Sequence, residues 1–189
     1  MSTPKQMLVI DIECTCWDTV APGGPDSEII EIGITPINMA DRTMGTPESI
    51  IVLPTRSEIS EYCTHLTSLT PDFVSQNGIP YRDAIDLLKI KYRPHRNMWG
   101  SWGDFDKNRF IVQSAVEYVQ YPFNNAHLNI KSLFTWKYGF SAGLGKACDF
   151  LGIQFDGTAH RGVDDSYNIA KVLLELTNSA PATPQESIT

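Results

Sequence analysis

The chain has 189 residues, 42% of them apolar and 20% charged, with a formal net charge of −7. That length suits one domain with a sizeable core, and the acidity excludes a protein that coats nucleic acid through a broad basic surface. No stretch approaches the roughly 18 apolar residues of a membrane helix and the start carries no apolar leader, so a cytoplasmic chain with no membrane partner is expected.

Met7 to Glu13 reads as a central strand, apolar on both faces until it ends in Asp11-Ile12-Glu13. Side chains alternate along a strand, so Asp11 and Glu13 point the same way. Two adjacent carboxylates repel unless a cation sits between them, and this strand end therefore predicts half of a magnesium or manganese site. Residues 18–27, with Pro22, Gly23, Gly24 and Pro25, form a turn-rich loop. Glu28 to Ile37 and Ser49 to Leu53 are the next strands, an antiparallel meander beside the first. Ser60 to Leu66 and Pro71 to Gln76 read as short helices with good starting residues. Pro80 to Tyr92 is longer, with Ala84, Leu87 and Leu88 on its apolar face.

Asn97 to Trp102 should be a strand, Asp104 to Val119 a helix and Leu128 to Ile130 a short strand. Helical segments follow at Ser132 to Tyr138 and Gly143 to Leu151, the latter ended by Gly152. Val163 to Thr177 is the final helix. Residues 178–189, polar and proline-containing, are expected to be a disordered tail, leaving residues 1–177 as a single domain. A meander followed by alternating helices and strands predicts one mixed sheet with helices on both faces.

A D-x-E triplet alone is weak: among 22 acids, on the order of one arises by chance. Its place at the end of an apolar strand, where α/β proteins put their ligands, strengthens it. In the final helix Asp165, Ile169, Val172 and Leu176 share one stripe, and Asp164, Asn168, Lys171 and Glu175 form a polar stripe beside it. Asp165 therefore faces inward, where a carboxylate needs a partner. Asp164 faces water as an ordinary helix-start acid favoured by the dipole.

Asp11, Glu13 and Thr15 follow the pattern D-x-E-x-T, and His160 stands five residues ahead of Asp165. Phe105-Asp106 opens a helix with Phe110 four positions on; Asp104 competes for that place but follows Gly103 instead of an aromatic residue. On these motifs the chain resembles the DEDDh branch of the DnaQ-like 3′–5′ exonucleases, from Met7 to about Thr177. The stretches DIECTCW, EIIEIG, CTHLTSLT, GSWGDFD and HRGVDDSYNIAKVL are similar to the subgroup that trims RNA 3′ ends, with enhancer-of-RNAi, histone-mRNA and KapD-like exonucleases.

The resemblance implies an RNase H-like fold with a mixed five-stranded sheet flanked by helices on both faces. It implies hydrolysis at the 3′ end of single-stranded nucleic acid, RNA favoured over DNA, with release of nucleoside 5′-monophosphates. Family roles carried onto these positions place Asp11 between two Mg2+ or Mn2+ ions per site, Glu13 and Asp165 on one, and Asp106 on the other. Such hard cations take oxygen ligands, activate water and stabilise a leaving oxygen. His160 would be the general base, a task that suits an imidazole titrating near about 6.5. Cys14, Thr15, Leu66 and His160 would meet the terminal nucleotide, Leu66 by wedging against its base.

Other residues receive plainer readings. Cys14, Cys16, Cys63 and Cys148 lack the paired spacing of a zinc site and are expected to be free thiols. His65, His95 and His127 are read as surface or core residues, and Trp17, Trp99, Trp102 and Trp136 as packing. Glu31 is expected to hydrogen-bond a loop instead of a metal. The basic run from Lys89 to Arg96 reads as a solvated helix end. Two competing functions remain: a catalytically idle nucleic-acid or protein-binding module on the same fold, and an RNase H-like nuclease cutting internally. Mutually repelling acids have no use in a binder, and the His160–Asp165 spacing favours an exonuclease.

Overall fold

The computed structural model describes residues 6–18 and 27–178; most of the turn-rich loop and the tail beyond 178 lie outside them. The strands are β1 (Gln6–Cys14), β2 (Ile29–Asn38), β3 (Thr43–Met44), β4 (Glu48–Ile51), β5 (Met98–Ser101) and β6 (His127–Asn129). The helices are α1 (Glu61–Thr67), α2 (Pro71–Asn77), α3 (Tyr81–Tyr92), α4 (Phe105–Val116), α5 (Ile130–Tyr138), α6 (Leu144–Leu151) and α7 (Gly162–Leu176). None of these helices is long and apolar enough to cross a membrane.

β1 is central, antiparallel to β2 and parallel to β5, which in turn carries β6 in parallel. The far edge of β2 pairs with both β3 and β4. The described sheet thus has six strands where five are expected from sequence, because the two-residue β3 is too short to leave a periodic signal. The chain has the mixed sheet with helices on both faces that the RNase H-like class requires.

Alternation along β1 divides the core in two. Leu8, Ile10 and Ile12 pack with Ala84, Ile85, Leu88, Trp99 and Phe110 on the face covered by α3 and α4. Met7 and Val9 pack with Phe134, Ile169, Val172 and Leu173 on the face covered by α5 and α7. The fully buried apolar α7 side chains Ile169, Ala170, Val172 and Leu173 hold that helix across the sheet, each large one contributing about 1.5–3 kcal/mol. Capping follows the sequence: Ser60 accepts from the Cys63 N–H, Thr70 from Phe73 ahead of Pro71, and Asn129 from Ser132.

Three side chains depart from the sequence reading. Leu87 is 42% exposed and Trp136 82% exposed, because α3 turns Ala84, Ile85 and Leu88 inward and α5 turns Ile130 and Phe134 inward. Asn168 is fully buried instead of facing water. It accepts from the Asp156 N–H and donates to the Asp156 carbonyl, tying residue 156 to α7, and donates to the Asp164 carbonyl one turn back in its own helix. The basic run from Lys89 ends α3 and leads into the start of β5, with Lys89 paired to Asp86 and Lys91 to Glu48. β5 runs parallel to β1, so this run lies at the opposite end of the sheet from Asp11 and Glu13.

Candidate active site

Asp11 and Glu13 continue the row begun by Met7 and Val9, so they emerge on the α7 side of β1. The register shifts between Glu13 and Cys14, a bulge of the kind that ends pairing and re-aims side chains beside functional sites. Asp165 reaches the pair from the first turn of α7. That approach is close: a Cβ on Gly33 of β2 would lie 1.9 Å from the carbonyl carbon of Gly162, so only glycine fits there. Asp106 enters from the first turn of α4, where its Oδ1 accepts the Ile12 N–H at 3.0 Å across a sequence separation of 94.

Burial, followed by the fields of Asp106, Glu13, Asp165 and Glu31, pushes the Asp11 carboxyl well above its usual range. Burial and then Asp165, Glu31 and Asp106 push Glu13 up to about 9, against a lowering by Arg161. Burial lifts Asp165 to about 7, with Asp164, Glu31 and Asp106 adding to it. Asp106 is raised to about 6, again by burial, while N–H donors including that of Ile12 hold it down. Four acids thus share one buried region without enough donors to satisfy them.

Glu28 shows what a satisfied carboxylate in this fold looks like. It is fully buried, yet its carboxyl is lowered: burial would raise it, but the Thr55 N–H, the Ser57 hydroxyl and the Arg56 N–H outweigh that. Glu28 is a structural anchor for the 55–57 turn. Asp11 and Glu13, with no such hydrogen bonds among the described residues, are acids awaiting a positive charge.

His160 sits at the cleft rim in a left-handed conformation, φ 63°, which costs a non-glycine residue about 1–3 kcal/mol. Its N–H donates to Asp165 Oδ2 at 3.0 Å. One ligand atom each from Glu13, His160 and Asp165 lie within 4.8 Å of one another. A cleft of ≈ 520 Å³ opens beside His160 and Asp165, walled by Leu144, Lys146 and Phe155 among others, a size suited to a nucleotide. The set fits hard divalent cations, given its oxygen donors, mutual repulsion and burial. Asp11, Glu13, Asp106 and Asp165 are the residues that would hold them.

The remaining predicted residues are placed less uniformly. Cys14 is buried. Thr15 is fully buried, with its hydroxyl bonded to Ser57 Oγ and accepting the Glu28 N–H. Leu66 is half-buried on α1. Asp104 is half-exposed and bound to Lys107 and Asn129, outside the acid cluster. Glu31, read from sequence as a loop anchor, accepts from Arg161, Gly162 and Ser49. Arg161 is a contributor that sequence reasoning passed over. The signal was the acid within the apolar run EIIEIG, since a charge in a strand buried on both faces demands a partner.

Comparison with known proteins supplies the context. The family described as Exonuclease, of the RNase T type, matches residues 8–173. The 3′-5′ exonuclease Snipper of Drosophila melanogaster is 24% identical over 199 residues, covering 93% of this chain and 70% of that protein. Human 3′-5′ exoribonuclease 1 is 28% identical over 187 residues, covering 90% of this chain. The chain spans 52% of the length of that human relative. Among solved structures, the nuclease domain of 3′hExo, described as a DEDDh family member bound to rAMP, superposes with a TM-score of 0.80 at 25% identity, covering 93% of this chain and 92% of that one. Escherichia coli exonuclease I with a dT13 oligonucleotide shares the fold, at TM-score 0.68 and 11% identity over 92% of this chain and 41% of that one.

Proposed function

The chain belongs to the RNase T exonuclease family, and from that premise we propose that it is a 3′–5′ exonuclease acting on single-stranded nucleic acid. It hydrolyses the terminal phosphodiester bond and releases nucleoside 5′-monophosphates, with RNA preferred over DNA. The observation that carries this reading is the convergence of Asp11, Glu13, Asp106 and Asp165, from three separate elements, beside His160. The RNA preference is supported by the human relative's name and by the rAMP in the 3′hExo structure.

Two Mg2+ or Mn2+ ions held by the four acids would supply Lewis-acid activation of water and charge stabilisation on the leaving 3′ oxygen. The protein's own groups do the rest. Bound cations would favour the ionised form of these acids, so occupancy of the site would be linked to release of protons from carboxyls that burial holds above their usual range. His160, at the rim and hydrogen-bonded through its backbone to Asp165, takes the proton of the attacking water at a ring nitrogen. Leu66 and Cys14 face the terminal nucleotide; Thr15 is buried with its hydroxyl, N–H and carbonyl bonded to Ser57, Glu28 and Ser27, so its part is to hold the end of β1 in place beneath that nucleotide.

The test is a 5′-labelled single strand, as RNA and as DNA, with Mg2+, Mn2+ or chelator. A ladder shortening from the 3′ end, lost with chelator and in Asp11→Asn, is expected. His160→Ala should retain metal binding while cleavage falls about 10²–10⁴-fold. Absence of cleavage under every metal, with strand binding intact, would instead mark the protein as a binding module. Full activity of His160→Ala near neutral pH would remove His160 from its role.

A further inference from the structure

We propose that Glu31 and Arg161 form a clamp that positions His160 as the base of this site. The inference rests on the exonuclease reading and extends it to two residues outside the ligand set. Glu31 of β2 lies directly opposite Glu13 of β1 in the antiparallel register. Like charges opposite one another destabilise a sheet, and Glu31 is fully buried beside four other acids. Such a residue has to be compensated. Its Oε2 accepts from Arg161 Nε at 3.1 Å and from the Gly162 N–H at 2.9 Å. Its Oε1 accepts from Arg161 Nη2 at 3.2 Å and from Ser49 Oγ at 2.6 Å. This is a two-pronged ion pair combined with a helix cap supplied from another element.

Both anchored residues directly follow His160. Arg161 is the N-cap of α7, which has no capping hydrogen bond from its own side chain, so Glu31 takes that part from β2. The Gly162 backbone is pressed against Gly33, and Thr35 Oγ1 meets Ser166 Oγ at 3.0 Å. Glu31, Gly33 and Thr35 share one face of β2 at spacing two. They form a track on which the first turn of α7 docks. On the other side of His160, the Thr158 N–H is held by Asp164 Oδ2 at 2.8 Å.

His160 is thus a left-handed residue between two fixed points, and its ring has no hydrogen bond among the described residues. Its aim toward Glu13 and Asp165 is set by the backbone on either side. The guanidinium fork fixes both distance and plane, which a lysine ammonium cannot do. Arg161 also offsets the charge of Glu31, leaving Glu13 for the cation.

The experiment compares wild type, Arg161→Lys, Glu31→Gln, His160→Ala and the double variant Arg161→Lys/His160→Ala on 5′-labelled RNA at saturating metal. Arg161→Lys keeps the charge and loses the fork. We expect its kcat to fall about 10–100-fold, the range for lost outer-shell partners, with KM unchanged within about twofold. In the His160→Ala background the same substitution should cost nothing further, because there is no base left to aim. Without metal or substrate, amide hydrogen exchange across residues 158–163 should quicken in Arg161→Lys while β1 and the rest of α7 keep wild-type protection. Arg161 is partly exposed, so this arm stands even if the buried Glu31→Gln variant fails to fold.

Wild-type kcat in Arg161→Lys overturns the clamp. So does an equal loss in the His160→Ala background, which would assign Arg161 to the acids instead of the base. Unchanged exchange at 158–163 overturns it as well. A wild type with no nuclease activity brings down the exonuclease reading itself, a result distinct from an active wild type indifferent to Arg161.

Discussion

Replacing Glu13 by Gln should make the metal-free protein more stable and inactive. The Glu13 carboxyl ordinarily titrates at 4.5 and is pushed up to about 9 in the fold, by burial and then by its acidic neighbours. The folded state therefore binds a proton that the unfolded chain has released. The stability linked to this group is complete below about 4.5 and is lost progressively as pH rises toward 9. At about pH 7.5 the gap from the unfolded value is about three pH units, each worth about 1.4 kcal/mol, so a neutral amide recovers up to about 4 kcal/mol. For a protein of this size each kcal/mol moves Tm by about 2–4 °C.

Thermal unfolding in chelator, followed from about pH 5 to about pH 9, reads this directly. The two proteins should converge at the acid end, and Glu13→Gln should melt several degrees higher at the alkaline end. With Mn2+ the gap should narrow, because a cation at about 100 times its Kd stabilises the wild type by about 2.7 kcal/mol and the variant by less. Identical melting curves in chelator at every pH, or a variant less stable than wild type at the alkaline end, would refute the picture of uncompensated acids.

Three further outcomes can be checked. Asp106→Asn should abolish cleavage of a labelled strand, whereas Asp104→Asn, at a half-exposed surface pair, should change the rate by less than about threefold. Apparent Mn2+ affinity, measured by calorimetry, should rise as pH increases through about 6 and about 7, where Asp106 and Asp165 lose protons; a flat profile would contradict their raised values. Gly33→Ala would place a methyl 1.9 Å from the Gly162 backbone. It should cost at least about 3 kcal/mol in chemical denaturation, and wild-type stability would show that α7 does not dock there.

Much of this protein was legible in its sequence because local geometry carries the information. A period of two is enough to put Asp11 and Glu13 on one face of β1, and a period of 3.6 separates Asp165 from Asp164. Helix limits followed from Ser60, Pro71 and Gly152, whose chemistry acts within a few residues of themselves. The motif resemblance supplied the family and pointed to Asp106, but no spacing rule brings α4 to the end of β1.

That meeting is decided by the sheet. The parallel pairing of β1 with β5 sets where α4 begins, and a hydrogen bond from the Ile12 N–H then ties Asp106 to β1. The same register places Glu31 opposite Glu13, turning what reads as a loop anchor into the support of the α7 start. Asn168 lies on a polar stripe by helical periodicity, yet the fold buries it and satisfies its amide on the Asp156 backbone. Periodicity gives a side chain its direction relative to its own element; which element it meets depends on register and packing summed over the whole chain. The amino-acid sequence by itself determined the acids, the histidine and the faces they occupy. Only the tertiary structure decided that they converge, and that Glu31 and Arg161 flank them.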